Sequence, residues 1–194
     1  LDDEKTAMKT GLLEIAESGK ANFRFTSNQH LILSDIKEEN KAEVESILQK
    51  YKLIDHTANA SPIRKNAMAC VALPTCPLAL AEAQRYLPSL ISKIETLLIK
   101  HSLQQDEIVL RMTGCPNGCA RPYAAEIGLI GTAPGKYNLH IGGDRQGERL
   151  NTKYKENLNE EDILQTLDNL FEVYVKEKNQ EENFGDFIKR VILN

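Results

Sequence analysis

The chain has no uninterrupted apolar run near the roughly 18 residues that span a bilayer, so no membrane partner is expected. Glycines stand at 128, 131, 142 and 143, but there is no Gly-x-Gly-x-x-Gly and no Gly-Lys-Ser/Thr. A nucleotide phosphate cradle is therefore not expected. His30, His56 and His101 have no companions at metal-ligand spacing, and His140 stands alone on an expected strand, where it reads as a packed or exposed side chain. The opening Leu-Asp-Asp-Glu-Lys has neither a basic start nor an apolar core, so no secretory signal is expected. Internal low-complexity tracts are missing too. The remainder, 41% hydrophobic and 27% charged with a net charge of −4, is ordinary soluble composition, enough for one large or two small domains and without a nucleic-acid partner.

Cysteine is scarce, yet all four copies fall in two close pairs: Cys70 and Cys76 in Ala69-Cys-Val-Ala-Leu-Pro-Thr-Cys-Pro77, and Cys115 and Cys119 in Thr113-Gly-Cys-Pro-Asn-Gly-Cys-Ala120. Pro74, Pro77, Gly114, Pro116 and Gly118 break regular backbone around them, as converging thiolates require. A structural zinc prefers gaps of about two to four residues, which the second pair meets and the first does not. Two disulfides would make a sparse framework in a chain long enough to bury a core. Inert buried thiols explain one or two cysteines, not two wrapped pairs. An iron–sulfur cluster, which takes four cysteines at varied spacings, is the favoured reading. Reduced thiols of this kind point to the cytoplasm.

Periodicity places a helix over Asp2 to Ser18 with Met8, Leu12, Ile15 and Ala16 on one face and Gly19 as its stop. Strands are expected over 22–27 and 30–34 around a turn at Ser27-Asn28-Gln29, followed by a helix from Lys37 to Tyr51. Helix, hairpin, helix makes half of a ferredoxin-like unit. Leu53 to Lys65 reads as a boundary. A helix is expected from Leu78, restarting at Pro88, with Leu90, Ile91, Ile94, Leu97 and Leu98 as core. Glu107 to Thr113 reads as a strand running into Cys115, and 126–131 and 136–141 as paired strands. Asn159 caps a helix with Glu160, Glu161 and Asp162 in its first turn, and a last helix starts near Phe184. The segment 107–155 is locally basic (Arg111, Arg121, Lys136, Arg145, Arg149, Lys153 and Lys155), whereas 156–194 is acidic. The basic segment would suit a neighbour rich in carboxylates.

Cys-x5-Cys followed by Thr-Gly-Cys-Pro-Asn-Gly-Cys resembles the double signature of the siroheme-dependent sulfite and nitrite reductases. Asn66-Ala-Met-Ala-Cys, Pro74-Thr-Cys-Pro-Leu-Ala-Leu-Ala-Glu-Ala, Ala133-Pro-Gly-Lys-Tyr-Asn-Leu-His-Ile-Gly-Gly143, Tyr154-Lys-Glu-Asn and Phe184-Gly-Asp-Phe are similar to the hemoprotein (beta) subunit branch that reduces sulfite with NADPH. The resemblance covers nearly the whole chain but only the C-terminal part of that subunit. With no initiator methionine, the chain is expected to be a cut-down piece.

The resemblance implies an α+β protein: a ferredoxin-like half-unit at 1–57, then an α/β siroheme and iron–sulfur cluster domain at 58–194. It implies a 4Fe-4S cluster on Cys70, Cys76, Cys115 and Cys119, with Cys119 bridging to siroheme and acting as the catalytic thiolate. Asn117 and Thr75 beside the ligands, and Arg24, Thr26, Asn28 and Gln29 in a strand motif like one the family repeats, are carried over as cofactor contacts. The alternative for those four is an alternating strand with an ordinary turn, and for Asn117 an Asn-Gly turn. Implied partners are sulfite, a flavoprotein (alpha) subunit supplying electrons from NADPH, and the N-terminal half of the same subunit, source of the substrate-binding arginines and lysines. The piece alone is accordingly expected to lack activity, and siroheme or cluster could be absent from it. A nitrite reductase and a non-catalytic electron-transfer module are the alternatives.

Overall fold

The computed structural model describes Asp2 and residues 6–194. By internal contact the chain divides into two units, residues 1–60 and 61–194. In the first, helix α1 spans Met8–Ser18 and not the whole stretch from Asp2. Asp2 instead accepts hydrogen bonds from the backbone N–H and hydroxyl of Thr10, acting as a detached cap for the first turn, while residues 3–5 of the expected helix lie outside the described residues. Gly19 ends α1 at φ 65°, its N–H bonded to Ala16. The buried positions are Gly11 and Ile15; Ala16, expected inside, is exposed. Gly11 is buried because the Tyr51 ring lies where a side chain would go, 2.9 Å from an added Cβ.

Strands β1 (Asn22–Phe25) and β2 (Leu31–Ser34) form an antiparallel hairpin, and α2 (Glu38–Lys50) packs on α1. Ile15, Val44 and Ile47 form the core, flanked by Phe23, Leu33, Ile36, Leu48 and Tyr51. This is the helix–hairpin–helix order expected. The stretch read only as a boundary folds into short helices α3 (Leu53–Ala58) and, in the second unit, α4 (Pro62–Lys65), capped by the Ser61 hydroxyl.

The second unit is built on a five-stranded sheet in simple order: β3 (Ala67–Ala69), β4 (Leu110–Thr113), β5 (Ile127–Ala133), β6 (Lys136–Ile141) and β7 (Thr152–Leu158). The first three strands are parallel and the last three antiparallel. Helix α5 (Leu87–Lys100) connects β3 to β4 and buries Leu87, Leu90, Ile91, Ile94 and Leu98, with Leu97 at the margin. Helix α6 (Glu160–Glu177) starts in a reciprocal capping box between Asn159 and Asp162. The chain closes with α7 (Phe184–Phe187) and a wide turn over Ile188–Ile192.

No helix begins at Leu78. Residues 78–86 are turns, and their backbone donors are used elsewhere: Leu80 and Ala81 donate to Gly114 O (2.8 and 3.0 Å), and Gln84 to Cys70 O (3.1 Å). Helical bonding and this stitching compete for the same groups, and the stitching prevails. Helix α5 then starts at Leu87 with Pro88 in its first turn, where the missing N–H costs nothing. Strands β3 and β7 were not anticipated.

Candidate metal centre

The two cysteine loops leave the sheet side by side, at the carboxyl ends of the adjacent parallel strands β3 and β4, where open α/β sheets place their ligands. Cys70 follows β3 directly and is fixed on three sides. Its N–H donates to Met112 O (3.1 Å), its carbonyl accepts from Gln84, and its Sγ accepts from the N–H of Gly114 (3.3 Å). Past it, the loop turns through Ala72 at φ 50° and a cis Leu73–Pro74 bond, and Cys76 N–H closes back on Ala72 O at 2.8 Å.

Gly114 is where the two loops meet. A Cβ there would come within 2.6 Å of both the Ala72 methyl and the Ala81 carbonyl, so only glycine permits the contact. Gly131 on β5 serves the same packing from the other side, since a Cβ on it would lie 2.5 Å from Gly114 O.

Beyond Gly114 the chain carries Cys115, which is buried, and Cys119, which is exposed. Gly118 takes φ 71° and Arg121 φ 53°, and Arg121 N–H donates to Gly118 O (2.7 Å). Tyr123 backs this loop, donating its hydroxyl to Pro116 O at 3.1 Å, with its ring edge-on to His140. Burial holds the His140 pKa below its usual value, so the ring is neutral at pH 7. The guanidinium of Arg111 is buried under the loop and donates to the carbonyls of Arg121 (3.4 Å) and Ala124 (3.2 Å). Desolvation, then the nearby Arg121 charge, lowers its pKa.

All four thiols are free. Their loops share one neighbourhood, but among the described residues no three His, Cys, Asp or Glu side chains stand close enough together to hold a metal ion as placed. The backbone of the two loops is joined at Gly114. Asn117 and Thr75 are exposed in the two loops. Arg24, Thr26, Asn28 and Gln29 lie in the first unit and serve the hairpin there. Arg24 bonds Ser34 (2.8 Å) and Asp35 (3.1 Å), Thr26 Oγ1 accepts from the N–H groups of Asn28 and His30, and Gln29 takes φ 63°. Much of the basic segment is paired locally: Arg145 with Glu107, Arg149 with Asp186, Lys153 with Glu156, while Lys155 bonds Thr166. His30 and His101 join no metal-ligand cluster, His101 bonding Asp168 instead; the His56 side chain lies outside the described residues.

Sequence reasoning missed Glu126. Fully buried just before β5, its carboxylate accepts from Val109 N–H and Gly185 N–H, both at 2.8 Å. Burial pushes its pKa up to about 7, against the opposing pull of those two donors. The contact clamps the Phe184-Gly-Asp-Phe segment onto the sheet, where a Cβ on Gly185 would collide with Gly143 O. An isolated glutamate before an apolar strand gives no sequence signal that its partners lie 17 and 59 residues away.

The model of the nitrite/sulfite reductase ferredoxin-like half domain matches residues 4–51, and that of the nitrite and sulphite reductase 4Fe-4S domain matches residues 64–193. A Leptospira biflexa protein named sulfite reductase [NADPH] hemoprotein beta-component is 60% identical over 190 residues, covering 98% of this chain and 34% of that protein. The protein of the same name from Staphylococcus carnosus is 52% identical over 189 residues, 97% of this chain and 33% of its own length. The chain thus spans about a third of the length of these relatives. The structure of Mycobacterium tuberculosis NirA protein superposes with a TM-score of 0.73 at 25% identity, over 94% of this chain and 35% of that one. With the half-domain and the cluster-domain models together matching most of its length, the chain belongs to the nitrite and sulfite reductase family.

Proposed function

We propose that this chain is the C-terminal part of an assimilatory sulfite reductase hemoprotein, reducing sulfite to sulfide in six one-electron steps together with the rest of its subunit. Residues 1–57 form its ferredoxin-like half-unit and 58–194 its siroheme and cluster domain. Cys70, Cys76, Cys115 and Cys119 would hold a 4Fe-4S cluster, with Cys119 shared with siroheme. The observation that carries the reading is the lacing of the two cysteine loops at Gly114, where backbone bonds and a contact only glycine allows join the two loops that carry the four free thiols. The residues fit the group: an all-thiolate donor set on loops, with a backbone N–H already donated to one sulfur, suits iron–sulfur ligation.

When bound, the cluster and macrocycle supply the redox chemistry. The chain's own residues position and insulate. Cys70 is held by two backbone hydrogen bonds and one to its sulfur, Cys115 is buried, and Cys119 is exposed and available to a second group. Arg111 places a buried positive charge under the second loop, and Asn117 and Thr75 offer polar groups beside the ligands. Val71, Leu78 and Leu80 are exposed apolar side chains on the first loop, which supports burial of this face by the N-terminal half of the subunit. Electrons would come from NADPH through a flavoprotein subunit. The protein would work in the cytoplasm, without nucleic acid or membrane; among the described residues no helix is long and apolar enough to cross a bilayer.

Sulfite is favoured over nitrite by the names of the relatives at 60% and 52% identity. The test is turnover of sulfite and nitrite by the full-length protein with an artificial electron donor, alongside iron, acid-labile sulfide and siroheme analysis. Preferential sulfite reduction with four irons per cluster supports the reading. Nitrite preference, or a cluster without siroheme, replaces it with a nitrite reductase or an electron-transfer module.

A further inference from the structure

Thr113 ends β4, and its hydroxyl is fully buried with no hydrogen-bond partner among the described residues. Buried hydroxyls are seldom left unpaired, because taking one out of water without a partner is unfavourable. Two features of its position indicate what is missing. Thr113 is bonded directly to Gly114, the residue whose N–H already meets the sulfur of Cys70, and it lies two residues before Cys115. It also shares a face of β4 with Arg111, since alternate strand residues point the same way. Arg111 is buried too, donates only to carbonyls at the base of the cysteine loop, and has no carboxylate within ion-pair distance among the described residues. One face of the strand that runs into Cys115 thus presents an unpaired hydroxyl and a buried cation bonded only to carbonyls of the second cysteine loop.

Resting on the cluster reading above, we infer that the Thr113 hydroxyl donates a hydrogen bond to a cluster sulfur and thereby raises the cluster's reduction potential. Reduction adds negative charge to the sulfurs, and a donor aimed at them stabilises the reduced form more than the oxidised one. Thr113→Val removes the hydroxyl at nearly constant volume; Thr113→Ser keeps it.

The experiment is an electron-paramagnetic-resonance redox titration of the cluster in the full-length, cofactor-loaded protein, with thermal unfolding of the cluster-free protein beside it. T113V is expected to change the oxidised-to-reduced ratio at the wild-type midpoint by up to roughly tenfold in favour of the oxidised form, about 59 mV downward for one electron. T113S should stay near the wild-type potential. In the cluster-free protein T113V should unfold no earlier than wild type, because there the hydroxyl has nothing to lose. If T113V loses its cluster while T113S retains it at equal cluster-free stability, the inference stands on cluster retention instead. Equal potentials in wild type, T113S and T113V overturn the inference and leave the cluster reading intact. A wild-type protein without cluster iron overturns both.

Discussion

Glu126 is a carboxylate whose fold makes ionisation unfavourable. Its folded pKa, about 7, stands above the ordinary value of 4.5, chiefly through burial, with Asp186 adding to the rise and the N–H groups of Val109 and Gly185 and the charge of Arg149 opposing it. The folded state therefore binds the proton more tightly than the unfolded chain. The stability this confers is complete below about pH 4.5 and is lost as pH climbs through about 7, on the order of 3 kcal/mol across the window. Chemical denaturation at pH 5 and pH 8 should show the decline, and E126Q, which cannot ionise, should flatten it. An unchanged slope in E126Q would assign the pH dependence to other groups. At the thiols, replacing Cys115 by serine should abolish cluster iron, read by metal analysis. Cys119→Ser should cost siroheme absorbance more than fold, because that side chain is exposed.

At the scale of elements, the junction of the two cysteine loops depends on an absent side chain. Gly114→Ala would drive a methyl group into the Ala72 side chain and the Ala81 carbonyl, and should destabilise the second unit by about 1–3 kcal/mol in urea unfolding. Asn159→Ala, at the box that starts α6, should cost about 1 kcal/mol. These elements also show how far the sequence could be read. Asn159 followed by three acids, and Pro88 before an apolar stripe, are local signals, and both helices start where expected. The apolar alternation of 136–141 likewise marks β6. The helix expected from Leu78 fails because Leu80 and Ala81 give their N–H groups to Gly114, a non-local bond that periodicity does not register. Strand β7, Thr-Lys-Tyr-Lys-Glu-Asn-Leu, is largely exposed and carries no apolar face to announce it. The cysteine pairing of loops was legible in motif, whereas the unpartnered Thr113 and the clamp at Glu126 follow only from strand pairing.

At the scale of the molecule, each unit has its own core, and the cysteines belong wholly to the second. Residues 61–194 expressed alone should therefore give a cooperative thermal transition and keep whatever iron the whole chain binds; loss of both would show that residues 1–60 are needed for folding. Residues 1–194 without the remainder of a full-length subunit should show no sulfite turnover above background in a reduced-dye assay.

The meeting of the two loops is fastened by peptide groups and the tight seat of one glycine. Small zinc-folded domains collapse when their ion is removed; here the frame should outlast its inorganic guest. A chelator would bleach the protein and leave its circular dichroism nearly intact, so that damage by oxygen would be repairable by refilling instead of by fresh synthesis.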